Sequence, residues 1–123
     1  MKGPILVVED NADNRKLLEW LLEDDGYSFE CVGTAEEGLA ALDARPFGLV
    51  LMDVSLPGID GKEATRRIRS DPRLARMPVL ALTAHAVKGE AEAILASGVT
   101  ALITKPIDEA LLLDAIRAAL GGA

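Results

Sequence analysis

Leu49-Val50-Leu51-Met52 is an unbroken apolar run that ends on a carboxylate, Asp53, with the turn pair Pro57-Gly58 close behind. A run this short, bounded by turn residues and lacking polar alternation, predicts a strand covered on both faces, the habit of parallel sheets. A lone charge inside such a strand is costly to bury. Asp53 therefore belongs at the strand's end, where the backbone emerges into a loop, and it marks the candidate chemical centre.

Three other runs share this design, and a fourth departs from it. Pro4 to Val8 ends on Glu9-Asp10, Pro78 to Thr83 is apolar up to its hydroxyl, and Ala101 to Thr104 ends at Lys105-Pro106. Ser28 to Val32 carries a charge at Glu30 and suits a sheet edge. Between the runs the spacing turns helical. Asn11 to Asn14 opens a helix with Leu17, Leu18, Leu21 and Leu22 on one face and Gly26 as its stop. Trp20 is expected on the flank of that face, partly buried. Thr34-Ala35-Glu36-Glu37 has the hydroxyl-to-carboxylate spacing of a capping box, and its helix runs through Leu39 and Leu42 to Arg45-Pro46. Gly61 to Ser70 forms a third helix with Ala64 and Ile68 inward, ended by Asp71-Pro72. Val87 to Ser97 forms a fourth, with Ala91, Ile94 and Leu95 on one side and Gly98 as its stop. Asp108 caps a fifth, whose stripe is Leu111, Leu112, Ala115, Ile116, Ala119 and Leu120, with residues 121–123 as a frayed end.

Five strands alternating with five helices predict an α/β fold, a mostly parallel sheet with helices on both faces. With 123 residues and half of them apolar, residues 1–123 read as one globular domain. The formal net charge of −7 disfavours nonspecific binding to nucleic acid or anionic membranes. Arg66, Arg67, Arg69, Arg73 and Arg76 cluster locally, but without interleaved aromatics they read as a solvated face. The lone Cys31 excludes an intramolecular disulfide and reads as a small buried hydrophobe in a reducing compartment. The longest uncharged run, residues 93–104, is too short for a membrane span of about 20 residues, and no signal-peptide core is present. A cytoplasmic protein is expected.

In open parallel sheets, functional groups collect at the C-terminal ends of the strands. Those ends carry Glu9-Asp10, Asp53, Thr83 and Lys105. If the first and third strands are neighbours, Glu9, Asp10 and Asp53 form a three-carboxylate cluster whose members raise one another's pKa values. A hard divalent cation relieves that repulsion, and all-oxygen ligands suit Mg²⁺. Asp53 can then attack phosphorus as a carboxylate nucleophile. Lys105 and Thr83 are of the right kind to supply an ammonium and a hydrogen-bond donor to the equatorial oxygens. Each residue alone has an ordinary structural explanation, as an N-cap or a solvated end. Their agreement at four strand ends is what carries weight.

In Ile5-Leu6-Val7-Val8-Glu9-Asp10-Asn11, Leu51 to Gly61, Ala81-Leu82-Thr83-Ala84 and Thr104-Lys105-Pro106, the chain resembles a response-regulator receiver domain. That family is the phosphoacceptor module of two-component and phosphorelay signalling. The resemblance implies a flavodoxin-like (βα)5 sandwich with strand order 2-1-3-4-5. It implies phosphorylation at Asp53, with Mg²⁺ held by Glu9, Asp10, Asp53 and the backbone carbonyl of Ser55. Thr83 and Lys105 would contact the phosphoryl group, with the Lys105-Pro106 bond cis. Ala84, His85 and Leu102 would modulate the site. His85, the only histidine, is expected at its rim rather than as a phosphodonor or ligand. The family usually has Tyr or Phe where Leu102 stands, so coupling through an aromatic rotamer is not available here.

The implied partners are a histidine kinase or a histidine phosphotransfer protein. An output protein would bind at the face of the fourth helix, fifth strand and fifth helix. The implied role is signalling rather than enzymatic turnover, beyond promoting phosphorylation and dephosphorylation of its own aspartate. No DNA-binding segment follows the fifth helix, so a stand-alone regulator, a relay intermediate or a receiver from a hybrid kinase is expected. Two other classes compete. A Mg²⁺-dependent phosphohydrolase with an Asp nucleophile would need a general acid where Ser55 stands and a substrate-capping insertion. A flavin-binding flavodoxin relative would need a hydroxyl-rich phosphate loop after the first strand.

Overall fold

The computed structural model describes residues 3–56, 58–84 and 88–121. His85 and Pro57 lie outside the described residues. The elements are β1 (Ile5–Val8), α1 (Ala12–Asp24), β2 (Phe29–Val32), α2 (Ala35–Ala44), β3 (Leu49–Asp53), α3 (Gly61–Ser70), β4 (Val79–Thr83), α4 (Lys88–Ala96), β5 (Ala101–Thr104) and α5 (Glu109–Gly121). All strand pairings are parallel and the order is β2-β1-β3-β4-β5. This is the flavodoxin-like arrangement, with β1 and β3 adjacent.

Alternation along each strand divides the core into two layers. Leu6, Val8, Val50 and Met52 face α2 and α3, meeting Ala41, Leu42, Ala64 and Ile68. Ile5, Val7, Leu49, Leu51, Leu80 and Leu82 face α1 and α5, meeting Leu18, Leu21, Leu22, Leu112 and Ile116. A third patch, Val54, Ala81 and Ile94 with Leu102 and Val99 against it, joins α4 to the sheet. Every residue of β3 and β4 is buried, whereas those of the edge strand β2 are all half-buried.

The caps follow the sequence closely. Asn11 accepts from the Asn14 N–H at 3.0 Å, Thr34 from Glu37 at 3.1 Å, and Asp108 from Leu111 at 3.1 Å. The Glu37 carboxylate reaches back to the Gly33 N–H, one residue before the cap. Gly61 has a specific reason to be glycine. A Cβ there would stand 2.4 Å from the Asp53 carbonyl oxygen, so any side chain would push α3 off the end of β3.

Four apolar residues depart from the expected faces. Trp20 is 56% exposed, not partly buried at a flank. Two residues from both Leu18 and Leu22 is a rotation of about 200°, which sets Trp20 on the opposite side of α1. Leu17, Leu95 and Leu111 are exposed as well, because each sits one step beside a buried neighbour and the sheet covers only a narrow stripe. Cys31 is half-buried against the α1 layer. Burial, with the Glu19 carboxylate adding to it, pushes its thiol up to about 12.

Candidate functional site

The β1–β3 register pairs Val8 with Met52, so the next residues along, Glu9 and Asp53, leave the sheet side by side. Both odd-numbered series point to the α1/α5 layer, as does Ile103 two residues before Lys105. Parity thus delivers Glu9, Asp53 and Lys105 to one spot. Glu9 is fully buried and Asp53 nearly so, while Asp10 is exposed. One carboxylate oxygen from each of Glu9, Asp10 and Asp53 lies within 4.8 Å of the others.

Among the described residues, a single ammonium faces this cluster. Lys105 Nζ stands 3.1 Å from Glu9 Oε1 and 3.5 Å from Asp53 Oδ1. Asp53 Oδ1 also accepts from the Ser55 N–H at 3.1 Å, and Glu9 Oε2 accepts from the Asn11 N–H at 3.3 Å. These contacts do not offset the burial of charge. Glu9 is pushed up to about 7, first by loss of water, then by the hydrogen bond and charge of Asp53, with Lys105 acting in the opposite sense. An all-oxygen set of three acids against one ammonium fits a hard divalent cation such as Mg²⁺.

Thr83 ends β4, is buried, and pairs with Thr104 of β5. Its carbonyl accepts from the Lys105 N–H at 2.7 Å, tying the end of β4 to the residue that carries the ammonium. The Lys105–Pro106 peptide is cis. Ala84 is exposed next to Thr83. Leu102 packs with Val54, Ala81 and Ile94, on the side of the sheet away from Glu9 and Lys105. The structure therefore brings Glu9, Asp10, Asp53 and Lys105 together, places Thr83 at the next strand end, and sets Leu102 one layer away. A cation that the sequence pattern gave no reason to single out also borders the site. Arg15 Nη1 donates to the backbone carbonyls of Glu9 and Asp10 at 3.0 and 3.3 Å.

The model of the response regulator receiver domain matches residues 5–117. The chain belongs to the response regulator receiver family. Its role is that of a phosphoacceptor in two-component signalling, a family whose members partner with histidine kinases and phosphotransfer proteins. This receiver domain is 41% identical to the polar-differentiation response regulator DivK of Brucella anthropi over the full length of both chains. It is also 41% identical, over 91% of its length, to the sensor histidine kinase GacS of Pseudomonas protegens, of which it spans only 12%. Among solved structures it is similar to the receiver domain of the Pseudomonas aeruginosa sensor histidine kinase PA1611, with TM-score 0.91, 33% identity and coverage of 98% and 99% of the two chains. That structure has magnesium coordinated in its active-site cleft. The chemotaxis protein CheY4 of Vibrio cholerae gives TM-score 0.89 at 26% identity, over 98% of this chain and all of the other. No helix among the described residues is long and apolar enough to cross a membrane.

Proposed function

We propose that Asp53 is the phosphoacceptor of this receiver, taking a phosphoryl group from a phosphohistidine on a kinase or phosphotransfer protein. The observation that carries the proposal is a nearly buried carboxylate at the exit of the central strand, 3.5 Å from an ammonium and inside a three-acid cluster. An oxygen of Asp53 forms the new bond to phosphorus while the donor's P–N bond breaks, its electron pair leaving with the imidazole. Ser55 N–H and Lys105 Nζ hold Asp53 Oδ1, so the carboxylate is oriented before the donor arrives. Glu9, Asp10, Asp53 and the Ser55 carbonyl would hold Mg²⁺, which would supply positive charge to the transferring phosphoryl group. Lys105 and the Thr83 hydroxyl donate to the same oxygens, and the arrangement promotes both phosphorylation and hydrolysis at Asp53 without turnover of a separate substrate.

Residues 1–123 act as one phosphoacceptor unit in the cytoplasm. Its output is by protein contact at the face of α4, β5 and α5, with Ala84, His85 and Leu102 modulating the exchange. Val54, next in sequence to Asp53, packs in the same patch as Ile94 of α4 and Leu102 of β5, a direct aliphatic route from the site to that face. Direct nucleic-acid binding is not part of this reading, and the arginines support that. Arg66 and Arg67 pair with Glu63, Arg73 pairs with Asp71 and Asp43, and Arg69 is spent on backbone carbonyls.

The test is incubation with Mg²⁺ and acetyl phosphate, followed by intact mass. The wild type gains one alkali-labile phosphoryl adduct and Asp53→Asn gains none. A wild type that stays unmodified with every phosphodonor overturns the proposal, and sustained hydrolysis of small phosphate esters replaces it with a phosphohydrolase.

A further inference from the structure

The acidic turn between β1 and α1 is held from behind by a cation whose hydrogen bonds go to carbonyls rather than carboxylates. One nitrogen, Arg15 Nη1, collects two successive backbone oxygens, those of Glu9 and Asp10. Arg15 is itself placed by the first turn of α1, where its N–H donates to the Asn11 carbonyl at 2.9 Å. Asn11 caps that helix through its side chain and returns its own N–H to Glu9 Oε2. The guanidinium lies over Gly33 at the exit of β2, 3.5 Å from where a Cβ would stand, which is ordinary van der Waals contact. Residues 9 to 11 are thus tied on the carbonyl side by Arg15 and on the carboxylate side by Asn11.

We propose that Arg15 is a positioning residue for the divalent cation. It fixes the backbone that presents the Glu9 and Asp10 carboxylates toward Asp53 without occupying a ligand oxygen. The inference rests on the assignment of Glu9, Asp10 and Asp53 as the Mg²⁺ donors. Lys105 makes the contrast clear. Its ammonium lies against the carboxylate oxygens themselves, 3.1 Å from Glu9 Oε1, and competes with an incoming cation. Arg15 bonds the carbonyl oxygens and none of the carboxylate oxygens, so it stays in place when a cation enters. Without it the two carbonyls turn to water, and the turn samples backbone conformations in which the acids no longer converge.

The experiment is a titration of the metal-free protein with MgCl2, read from amide chemical shifts, on wild type, Arg15→Met and Arg15→Lys. Groups that orient metal ligands typically cost ~10–100-fold in affinity when removed. Arg15→Met is expected to bind Mg²⁺ roughly 10-fold more weakly, with Arg15→Lys recovering much of that loss. In the acetyl phosphate reaction Arg15→Met is slow at low Mg²⁺ and reaches the wild-type rate at saturating Mg²⁺. A Mg²⁺ affinity within about twofold of wild type, well below the range for such groups, overturns the proposal, and so does a rate defect that saturating Mg²⁺ leaves in place. If Arg15→Met does not fold, Arg15→Gln is judged by the same outcomes, and failure of both to fold overturns it as well. Absence of saturable Mg²⁺ binding in the wild type would instead overturn the metal assignment itself.

Discussion

Charge is handled in opposite ways along α3 and at the C-terminal edge of the sheet. On α3 and the turn after it, carboxylates meet arginines. Glu63 accepts from Arg66 and Arg67 at 3.3 and 3.1 Å, and Asp71 accepts from Arg73 at 2.8 Å. Those partners hold both carboxyls below their usual range. At the C-terminal edge of the sheet three carboxylates converge, Lys105 reaches only Glu9 and Asp53, and buried Glu9 is pushed up to about 7. Matched charges on a surface are screened and contribute little. Unmatched buried charge costs stability and persists where a ligand completes it. The contrast separates a solvated face from a site, although both are dense in ionisable residues.

The sharpest way to break that contrast is at Asp53, where Asn is expected to abolish the phosphoryl adduct while arginine replacements on α3 leave it unchanged, both read by intact mass. Next comes Glu9→Gln. If Glu9 carries an unbalanced charge, the neutral amide stabilises the metal-free protein at pH 8 by on the order of 1–3 kcal/mol in urea unfolding. The same change weakens Mg²⁺ binding, because a donor carboxylate is lost. A destabilised Glu9→Gln would show that the Lys105 contact outweighs the burial cost.

The pH profile of the metal-free protein should show both regimes. Glu9 is raised from 4.5 to about 7 when folded, so its contribution to stability is complete below pH 4.5 and is lost as pH rises through 7. Glu63 and Asp71 are lowered, so theirs is present above their unfolded values of 4.5 and 3.8 and is lost on further acidification. Urea midpoints are therefore expected to peak near pH 5 and to decline on both sides. Glu9→Gln should remove the decline toward neutrality and leave the acid side intact. The smallest effect is expected for Glu63→Gln at neutral pH. A small drop in midpoint that disappears in high salt marks a screened surface network, and a salt-independent loss would place Glu63 with the costly groups instead.

Much of this was legible along the chain because strand burial and helix capping are local. The apolar runs became β1 to β5, and Asn11, Thr34 and Asp108 cap the helices that follow them. Gly61 is the counterexample. It reads as the start of a helix, yet its reason for being glycine is the approach of α3 to the Asp53 carbonyl, a contact between elements. Trp20 failed for a related reason, since hydropathy alone does not fix the phase of a helix whose buried stripe is narrow. Arg15 gave no signal, because its partners are carbonyls that any residue type at positions 9 and 10 would supply.

By itself the sequence determined the alternation of buried strands and amphipathic helices, and with it the delivery of acids, a hydroxyl and an ammonium to strand ends. Local hydrophobic patterning and the cost of burying a bare charge are sufficient for that. Only the tertiary structure decided that Glu9 is the most deeply buried of the three acids, that Lys105 faces it and Asp53 together, and that Leu102 lies in the α4 patch rather than in the site. Those outcomes depend on register and pleat parity across separate strands, which long-range packing sets and no single segment encodes.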